Sequence, residues 1–434
     1  MHVYPFPRCY AGLGETALAG ADVGGSSDDV QRLLFIDADL AFDHALRLGR
    51  EGVDVLYFNE WRHGLTVGEY MYGAGFDEVV NVIDYHNALD IVDFVFIADS
   101  GYGQLGDWLR KHGYLVYGAS GMTDFLELNR VKAAEMLNTV GIKTPSYKTL
   151  KGVKALYAYL SEHSDVPHYV KVDVVRGSLE TFKVETPQDL SSAITRADLG
   201  PFAHGLEFIV SEKIEGVEVG VDAWFNGREF LRPYHFGNEI KGHGSCFGKW
   251  VYESIWDDVL DRVEPLLRRF SSFQGTISFE AILNEDGLYV LDVAPRIARP
   301  AGSLQYYSLD NYFGCVKHVA EGESYEPRIN HPYTMQLGLN YFGQQRTWVN
   351  LGTSLPDWLA ATCRVVRYGG NFWAHVKADE HALFTLACAQ DPHSCLNLAV
   401  GRTYEVSDSL VFSSYAVKRV GEIIEELRRY GVEW

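Results

Sequence analysis

The sequence predicts a chain that begins as α/β and continues as α+β, and three observations point there. Short apolar strands alternate with helical patterns over residues 33–122, as in a parallel sheet covered by helices. From about 167 to 295 the pattern changes to closely spaced β-segments around one helix. Within that stretch lies a strand–turn–strand segment with an acid on each arm, Glu280 and Asp292.

Length and composition set the frame. At roughly 150 residues per domain, a chain of 434 residues holds about three domains. Hydrophobic residues make up 47% and charged residues 22%, and the 26 Tyr and 23 Phe argue against disorder. A formal net charge of -20 disfavours wide contact with a phosphate backbone, so nucleic acid is an unlikely partner. Cys9, Cys246, Cys315, Cys363, Cys388 and Cys395 form no CxxC pair and read as reduced thiols. No apolar run approaches the ~18 residues of a membrane span, and no basic segment leads into an apolar one at the N-terminus. The expectation is a cytoplasmic protein with no membrane partner.

Residues 1–32 are rich in Gly, Ala and Ser without a clear period and are set aside as an N-terminal extension. Strands follow at Leu33–Asp37, Val53–Phe58, Phe94–Ala98 and Leu115–Tyr117, with helices at Leu40–Gly49 and Gln104–His112. A helix over Asp124–Thr139 has Thr123 as its candidate cap and stops at Gly141, with Pro145 beyond. Strands at Tyr169–Asp173, Thr181–Val184, Phe208–Lys213, Glu218–Trp224 and Thr276–Val293 surround a helix at Trp256–Phe270. Past residue 330 the pattern is mixed, ending in an amphipathic helix at Val417–Tyr430. The expected division is 33–122, 123–325 and 326–434.

The chemistry begins with the hairpin. Glu280 and Asp292 are twelve positions apart. That even spacing, with a loop of three or five residues and Gly287 at positive φ, sets both carboxylates on one face. Two acids among apolar neighbours call for a cation, and magnesium, a hard ion that takes carboxylate and phosphate oxygens, suits the pair. Taken alone, the segment reads more readily as an exposed hairpin face with ordinary acids. Lys171, however, lies inside the apolar strand Tyr-Val-Lys-Val-Asp, where a lysine is costly unless it meets an anion, and the turn Arg176-Gly-Ser178 follows. Farther on, Val210-Ser-Glu212-Lys-Ile-Glu-Gly216-Val-Glu218 ends one strand and starts another. Such a hinge offers backbone groups to an adenine edge, and the acid beyond it can hold ribose hydroxyls.

In this order the elements resemble the ATP-grasp superfamily over about residues 33 to 305. Asp43-His-Ala-Leu46, Val116-Tyr-Gly-Ala, Leu126-Glu-Leu-Asn-Arg130 and Gly141-Ile-Lys-Thr-Pro145 resemble phosphoribosylamine–glycine ligase. Asp292-Val-Ala-Pro-Arg296 is similar to carboxyaminoimidazole ribonucleotide synthetase. The resemblance implies an ATP-grasp fold with an N-terminal Rossmann-like domain and a small C-terminal domain, and ATP and Mg2+ as cofactors. It implies that Arg130, Lys171 and Ser178 face the ATP phosphates, with Arg130 where the superfamily has a lysine. Glu212, Lys213 and Ile214 take the adenine hinge, Glu218 the ribose, and Glu280 and Asp292 the metal. Arg296, with Arg299 as a weaker companion and Lys241 from a glycine-rich loop, is assigned to the reacting phosphate. A surface salt bridge is the plain alternative for Arg299. Ser211 and Ala294 depart from the usual glutamate and asparagine.

Two glycine-rich segments compete with this reading. Gly101-Tyr-Gly103-Gln-Leu-Gly106 fits a dinucleotide fingerprint, but it follows a later strand and no acidic strand end comes after it. Gly242-His-Gly244-Ser-Cys-Phe-Gly248-Lys249 lacks P-loop spacing. Its Lys241, His243 and Lys249 suit a mobile segment over the triphosphate, or else a solvated connector.

The function implied by the resemblance is an ATP-dependent carboxylate–amine ligase: a small-molecule carboxylate is activated as an acyl phosphate and passed to an amine. The rival is a non-catalytic ATP-binding module with a degenerate site. The first strand runs into Ile36-Asp37-Ala-Asp39-Leu-Ala-Phe-Asp43, with three acids and no glycine. A phosphate is unwelcome there, so the substrates are expected to differ from phosphoribosylamine and glycine.

Overall fold

A computed structural model describes residues 31–38, 40–59, 73–163, 166–172, 181–186, 188–189, 191–192, 205–299, 301–343, 345–377 and 381–434. The expectations for residues 1–30, Asp39 and the Arg176–Ser178 turn lie outside the described residues.

Strands β1 (Arg32–Asp37), β2 (Asp54–Asn59), β3 (Val79–Asn81), β4 (Phe94–Ile97) and β5 (Leu115–Gly118) form a parallel sheet in the order β3-β2-β1-β4-β5. β1, β2, β4 and β5 are short apolar runs buried on both faces, as a helix-covered parallel sheet requires, while β3 at the edge leaves Val80 exposed. The order reverses between β1 and β4, the switch point at which such sheets open a crevice beyond their C-terminal ends.

The helix expected over Asp124–Thr139 is two helices, Gly121–Leu128 and Arg130–Thr139. Asn129 breaks it at φ -135° and ψ 81°, and its side chain accepts the Lys132 N–H at 3.0 Å as an N-cap. Thr123 is not the cap of the first helix. Ser120 is the N-cap, and its backbone N–H donates to the Thr123 hydroxyl at 3.2 Å.

Next come β6 (Tyr147–Lys151), β7 (His168–Val172), β8 (Thr181–Val184) and β9 (Glu207–Glu212), a small antiparallel sheet ordered β6-β9-β7-β8. The larger sheet contains β10 (Val217–Phe225), β11 (Tyr234–Ile240), β12 (Ser245–Val251), β13 (Gly275–Asn284) and β14 (Gly287–Ala294). It continues into β15 (Tyr333–Tyr341), β17 (Leu359–Ala361), β20 (Leu383–Ala389) and β21 (Leu410–Phe412), in the order β14-β13-β10-β11-β12-β15-β20-β17 with β21 on β15. The expected division at 325/326 therefore falls between strands of one sheet. A three-stranded sheet of β16 (Thr347–Gly352), β18 (Val365–Tyr368) and β19 (Asn371–Val376) completes the fold.

Period-two alternation decides which face of the large sheet does chemistry. Val217, Val219, Val221, Ile277, Phe279 and Ala281 are buried against Val259, Val263 and Leu267 of the helix Asp257–Phe270. The C-terminal helix Ser414–Arg429 adds Val420, Ile423 and Leu427 to the same core. Each of these Val, Ile, Leu and Phe side chains contributes about 1.5–3 kcal/mol on burial. Glu218, Gly220, Ser278 and Glu280 alternate with them and face the other way.

The two glycine-rich segments are built into this frame. A Cβ on Gly103 would lie 2.4 Å from the Ser120 backbone, and one on Gly106 would lie 2.1 Å from the Ala119 carbonyl oxygen. Here glycine permits the helix Gly103–Lys111 to press on the chain after β5. The Gly103 N–H donates to Asp124 at 2.7 Å, so a carboxylate of the protein already holds that helix start. Burial raises the Asp124 carboxyl to about 6 against the pull of these N–H groups. In the second segment, Lys241–Gly244 is a tight turn and Ser245–Lys249 lies in β12. Lys249 donates to the Glu433 carbonyl and stands 5.4 Å over the Trp434 ring, anchoring the C-terminus. Replacing Gly106 with Ala is expected to destabilise the fold by about 1–3 kcal/mol, read as a lower midpoint in urea denaturation.

Candidate functional site

In the hairpin β13–β14, Glu280 stands directly opposite Asp292. The turn has two residues, Glu285 and Asp286, not three or five, and Gly287 sits at φ +108°. Such a turn pairs Ala281 with Val290 and Asn284 with Gly287, a register that would set Glu280 against Leu291. A bulge between Glu280 and Ala281 inserts one residue and brings Asp292 opposite Glu280 instead. It also leaves the Leu291 carbonyl free to accept Lys171 Nζ at 3.3 Å.

Cations converge on Asp292. Lys171 Nζ lies 3.6 Å and Arg130 Nη2 3.7 Å from Asp292 Oδ2. Burial works to raise this carboxyl, but Lys171, Arg130, Lys241 and Arg296 outweigh it and hold it below the ordinary aspartate value. The break at Asn129 matters here, because it places Arg130 at the first turn of the second helix, aimed at the acid pair.

Lys241 is the hub of a second cluster. Its ammonium is 3.0 Å from both Glu280 oxygens, 3.2 Å from Glu218 Oε1 and 2.6 Å from Glu239 Oε2. Burial alone would lower its pKa, but the three carboxylates raise it well above the usual lysine value. Glu239 escaped the sequence reading. The signal was present: Glu239 and Lys241 are two apart around a strand end, so both reach the face that carries Glu218.

Arg296 is placed differently from expectation. Its Nε donates to Glu127 at 2.9 and 3.0 Å and its Nη2 at 2.6 Å, while Nη1 donates to the Ile297 carbonyl. Asp99, at the end of β4, is 3.6 Å away. Burial disfavours the guanidinium, yet Glu127 and Asp99 raise its pKa further above the ordinary arginine value. This arginine ties the end of the hairpin to the helix Gly121–Leu128 and to the switch point of the parallel sheet. Arg299 borders the cleft and stacks 5.6 Å over Phe384.

Glu212 ends β9, and Lys213 and Ile214 follow in the connection to β10; Glu212 is exposed and the other two are half-buried. The Lys213 N–H is taken by the Pro167 carbonyl at 3.0 Å. Gly216 closes the hinge, where a Cβ would lie 2.3 Å from the Leu283 oxygen. Ser178 lies outside the described residues. A cleft of about 460 Å3, measured out into solvent, covers the sheet face between these groups and is bordered by Glu218, Gly220, Glu239, Ser278, Glu280 and Arg299.

After β1, the described N–H groups of Ala38, Leu40 and Ala41 are held by a side chain. Asp37 accepts the N–H groups of Ala38 and Leu40 at 2.8 Å and of Ala41 at 3.1 Å, and the Tyr57 hydroxyl at 2.8 Å. Its own carboxylate occupies the position of an anion at the helix start. Asp43 accepts the Ser303 hydroxyl at 2.5 Å.

No protein-family profile matches the sequence. Among solved structures, phosphoribosylamine–glycine ligase of Thermotoga maritima superposes with a TM-score of 0.63 at 15% identity, covering 88% of this chain and 97% of that one. The biotin carboxylase domain of Hydrogenobacter thermophilus 2-oxoglutarate carboxylase, solved with MgADP, ADP and bicarbonate, gives 0.61 at 11% identity over 89% and 91%. N5-carboxyaminoimidazole ribonucleotide synthetase of Thermotoga maritima gives 0.57 at 15% over 89% and 100%. The class is thereby set: this chain has the ATP-grasp fold, with the Rossmann-like sheet preceding it, as its sequence led one to expect. Among the described residues no helix is long and apolar enough to cross a membrane, and Cys246, Cys315, Cys363, Cys388 and Cys395 carry free thiols.

Two outcomes test this electrostatic arrangement. Arg296→Ala leaves Glu127 buried without its partner and is expected to cost about 3–5 kcal/mol in denaturation experiments. Burial also pushes the Glu239 carboxyl up to about 7, with Lys241 pulling it down. A folded value above the unfolded 4.5 means that the folded state holds this proton more tightly. Its stabilisation is full below pH 4.5 and is lost as the pH rises to about 7. Denaturation at a series of pH values should show that decline, up to about 3 kcal/mol, and Glu239→Gln should flatten it.

Proposed function

We propose that the chain is an ATP-dependent carboxylate–amine ligase that forms an amide through an acyl phosphate. The observation that carries this reading is Glu280 facing Asp292 across paired strands, with Lys171 and Arg130 directed at Asp292. A carboxylate pair ringed by basic side chains suits a triphosphate with its divalent ion. The solved structures of like fold include a complex with MgADP, which supports ATP and Mg2+ as the cofactors here.

The donor set fits magnesium: two carboxylates on adjacent strands, both hard oxygen donors. Glu280 and Asp292 would hold the ion, which supplies charge neutralisation at the phosphates. Lys171 and Arg130 orient the β- and γ-phosphates, and the hinge at Glu212–Ile214 takes the adenine with Glu218 near the ribose. A carboxylate oxygen of the substrate attacks the γ-phosphorus, and the bond to ADP breaks. The amine then attacks the acyl carbon, phosphate leaves, and the amine gives up a proton. Lys241, beside Glu280, sits where charge builds on the transferring group, and Arg299 reaches the same cleft. Arg296 acts through Glu127 and Asp99 as a positioning residue.

The loop after β1 bears on the substrates. Its described N–H groups are held by Asp37 and are not offered to a phosphate as those of a glycine-rich turn would be, which supports substrates other than phosphoribosylamine and glycine. One observation favours the rival, a nucleotide-binding module without turnover: Lys241 already supplies a cation to Glu218, Glu239 and Glu280.

Release of ADP from magnesium-ATP, with pooled carboxylates and amines, separates the two readings. Turnover is expected, with Glu280→Gln lowering kcat by about 100-fold or more while the melting temperature holds. Lys171→Ala is expected to weaken ATP binding about tenfold or more in calorimetry. ATP bound without turnover on any pool would leave the binding module standing.

A further inference from the structure

Three adjacent strands of the large sheet carry glycine side by side. Gly220 pairs with Gly237 and Gly237 with Gly248, while Glu280 pairs with Gly220 on the other flank. The row thus runs sideways from the acid pair across β10, β11 and β12. A Cβ on Gly220 would meet nothing nearer than the Phe279 oxygen at 3.4 Å, so that position opens into the cleft. Gly248 is roofed by His235, whose Cε1 lies 2.4 Å from where a Cβ would be. The result is a groove that starts at Glu280 and ends against the His235 ring.

The end wall is polar and incompletely paired. Asp222 and His235 face each other across β10 and β11, and only 5% and 1% of their surfaces are exposed. Thr334 Oγ1 fixes His235 Nε2 at 2.7 Å. His235 Nδ1 and Asp222 Oδ1 have no hydrogen-bond partner, and Nδ1 stands 3.9 Å from Asp222 Oδ2, too far for a direct bond. A buried carboxylate oxygen left in this state is costly, and both residues line the cleft. The Asp222 oxygen calls for an N–H or O–H donor, and His235 Nδ1 stands beside it. Charge decides between donors: Asp222, Glu218, Glu239 and Glu280 border the cleft with Arg299, and Lys241 is already committed to three of those acids. This excess of negative charge selects a cation over a neutral hydroxyl.

Asp222 lies two residues along β10 from Gly220, so the subsite is about 7 Å from the row that holds the acid pair. We propose that Asp222 and His235 bind the non-reacting primary ammonium of a short aliphatic diamine, whose other amino group is the acceptor at the acid-pair end. This substrate class rests on the ligase reading, but the recognition of the ammonium by the groove does not.

The test is calorimetric titration of the full chain with cadaverine, and with pentylamine as the matched monoamine, in buffer free of nucleotide. Cadaverine is expected to bind at least tenfold more tightly than pentylamine, and Asp222→Asn, isosteric and uncharged, to erase that preference. Gly220→Val blocks the groove without touching Asp222 and should abolish cadaverine binding while the protein melts normally. It keeps the proposal testable if the Asp222 variant does not fold. Equal affinity for the two amines, or a preference that survives both substitutions, overturns the proposal and leaves the subsite to a buried water. ADP release with the same amines and pooled carboxylates is measured in parallel. Selective cadaverine binding without ADP release sinks the ligase reading alone, whereas ADP release indifferent to the second amino group sinks the diamine subsite alone.

Discussion

The register of one hairpin governs this molecule's chemistry. A two-residue turn pairs positions whose separation is odd, whereas Glu280 and Asp292 are separated by an even number. Without the bulge beside Glu280, Leu291 would take the place of Asp292 and the second acid would point into the core. One inserted residue makes the acids neighbours and hands the Leu291 carbonyl to Lys171. The bulge thereby links the large sheet to the small one, and the distances among Lys171, Arg130 and Asp292 follow from it.

A second regularity is that side chains of the protein occupy positions where a ligand of the same charge would go. Asp37 takes up the N–H groups after β1, and Asp124 holds the start of the helix at Gly103. In the cleft, the Lys241 ammonium stands among Glu218, Glu239 and Glu280 as a divalent ion would. The first two arrangements set protein carboxylates on backbone N–H groups of the Rossmann-like region. The third is compatible with exchange, since Lys241 sits on a turn between β11 and β12 and remains partly exposed.

Arg296 shows how a residue can match a motif and still serve another end. Its guanidinium is surrounded by Glu127 and Asp99, which fasten the hairpin to the first sheet at its switch point. A buried ion pair of this kind is a strict geometric constraint more than a source of stability.

The sequence by itself determined the two sheet types, the hairpin, its acids and the strand lysine. Those features are local: apolar period, turn residues, and a charge in an apolar run can be read within a dozen positions. The pairing of Arg296 with Glu127 and of Lys171 with the Leu291 carbonyl were decided by tertiary structure, because each joins residues far apart along the chain. The same holds for the glycine row. Gly220, Gly237 and Gly248 lie on three separate strands, and nothing in the sequence relates one to another. Only the pairing of β10, β11 and β12 sets them side by side, and only the burial of Asp222 and His235 at the end of that row makes it a groove with a chemical preference.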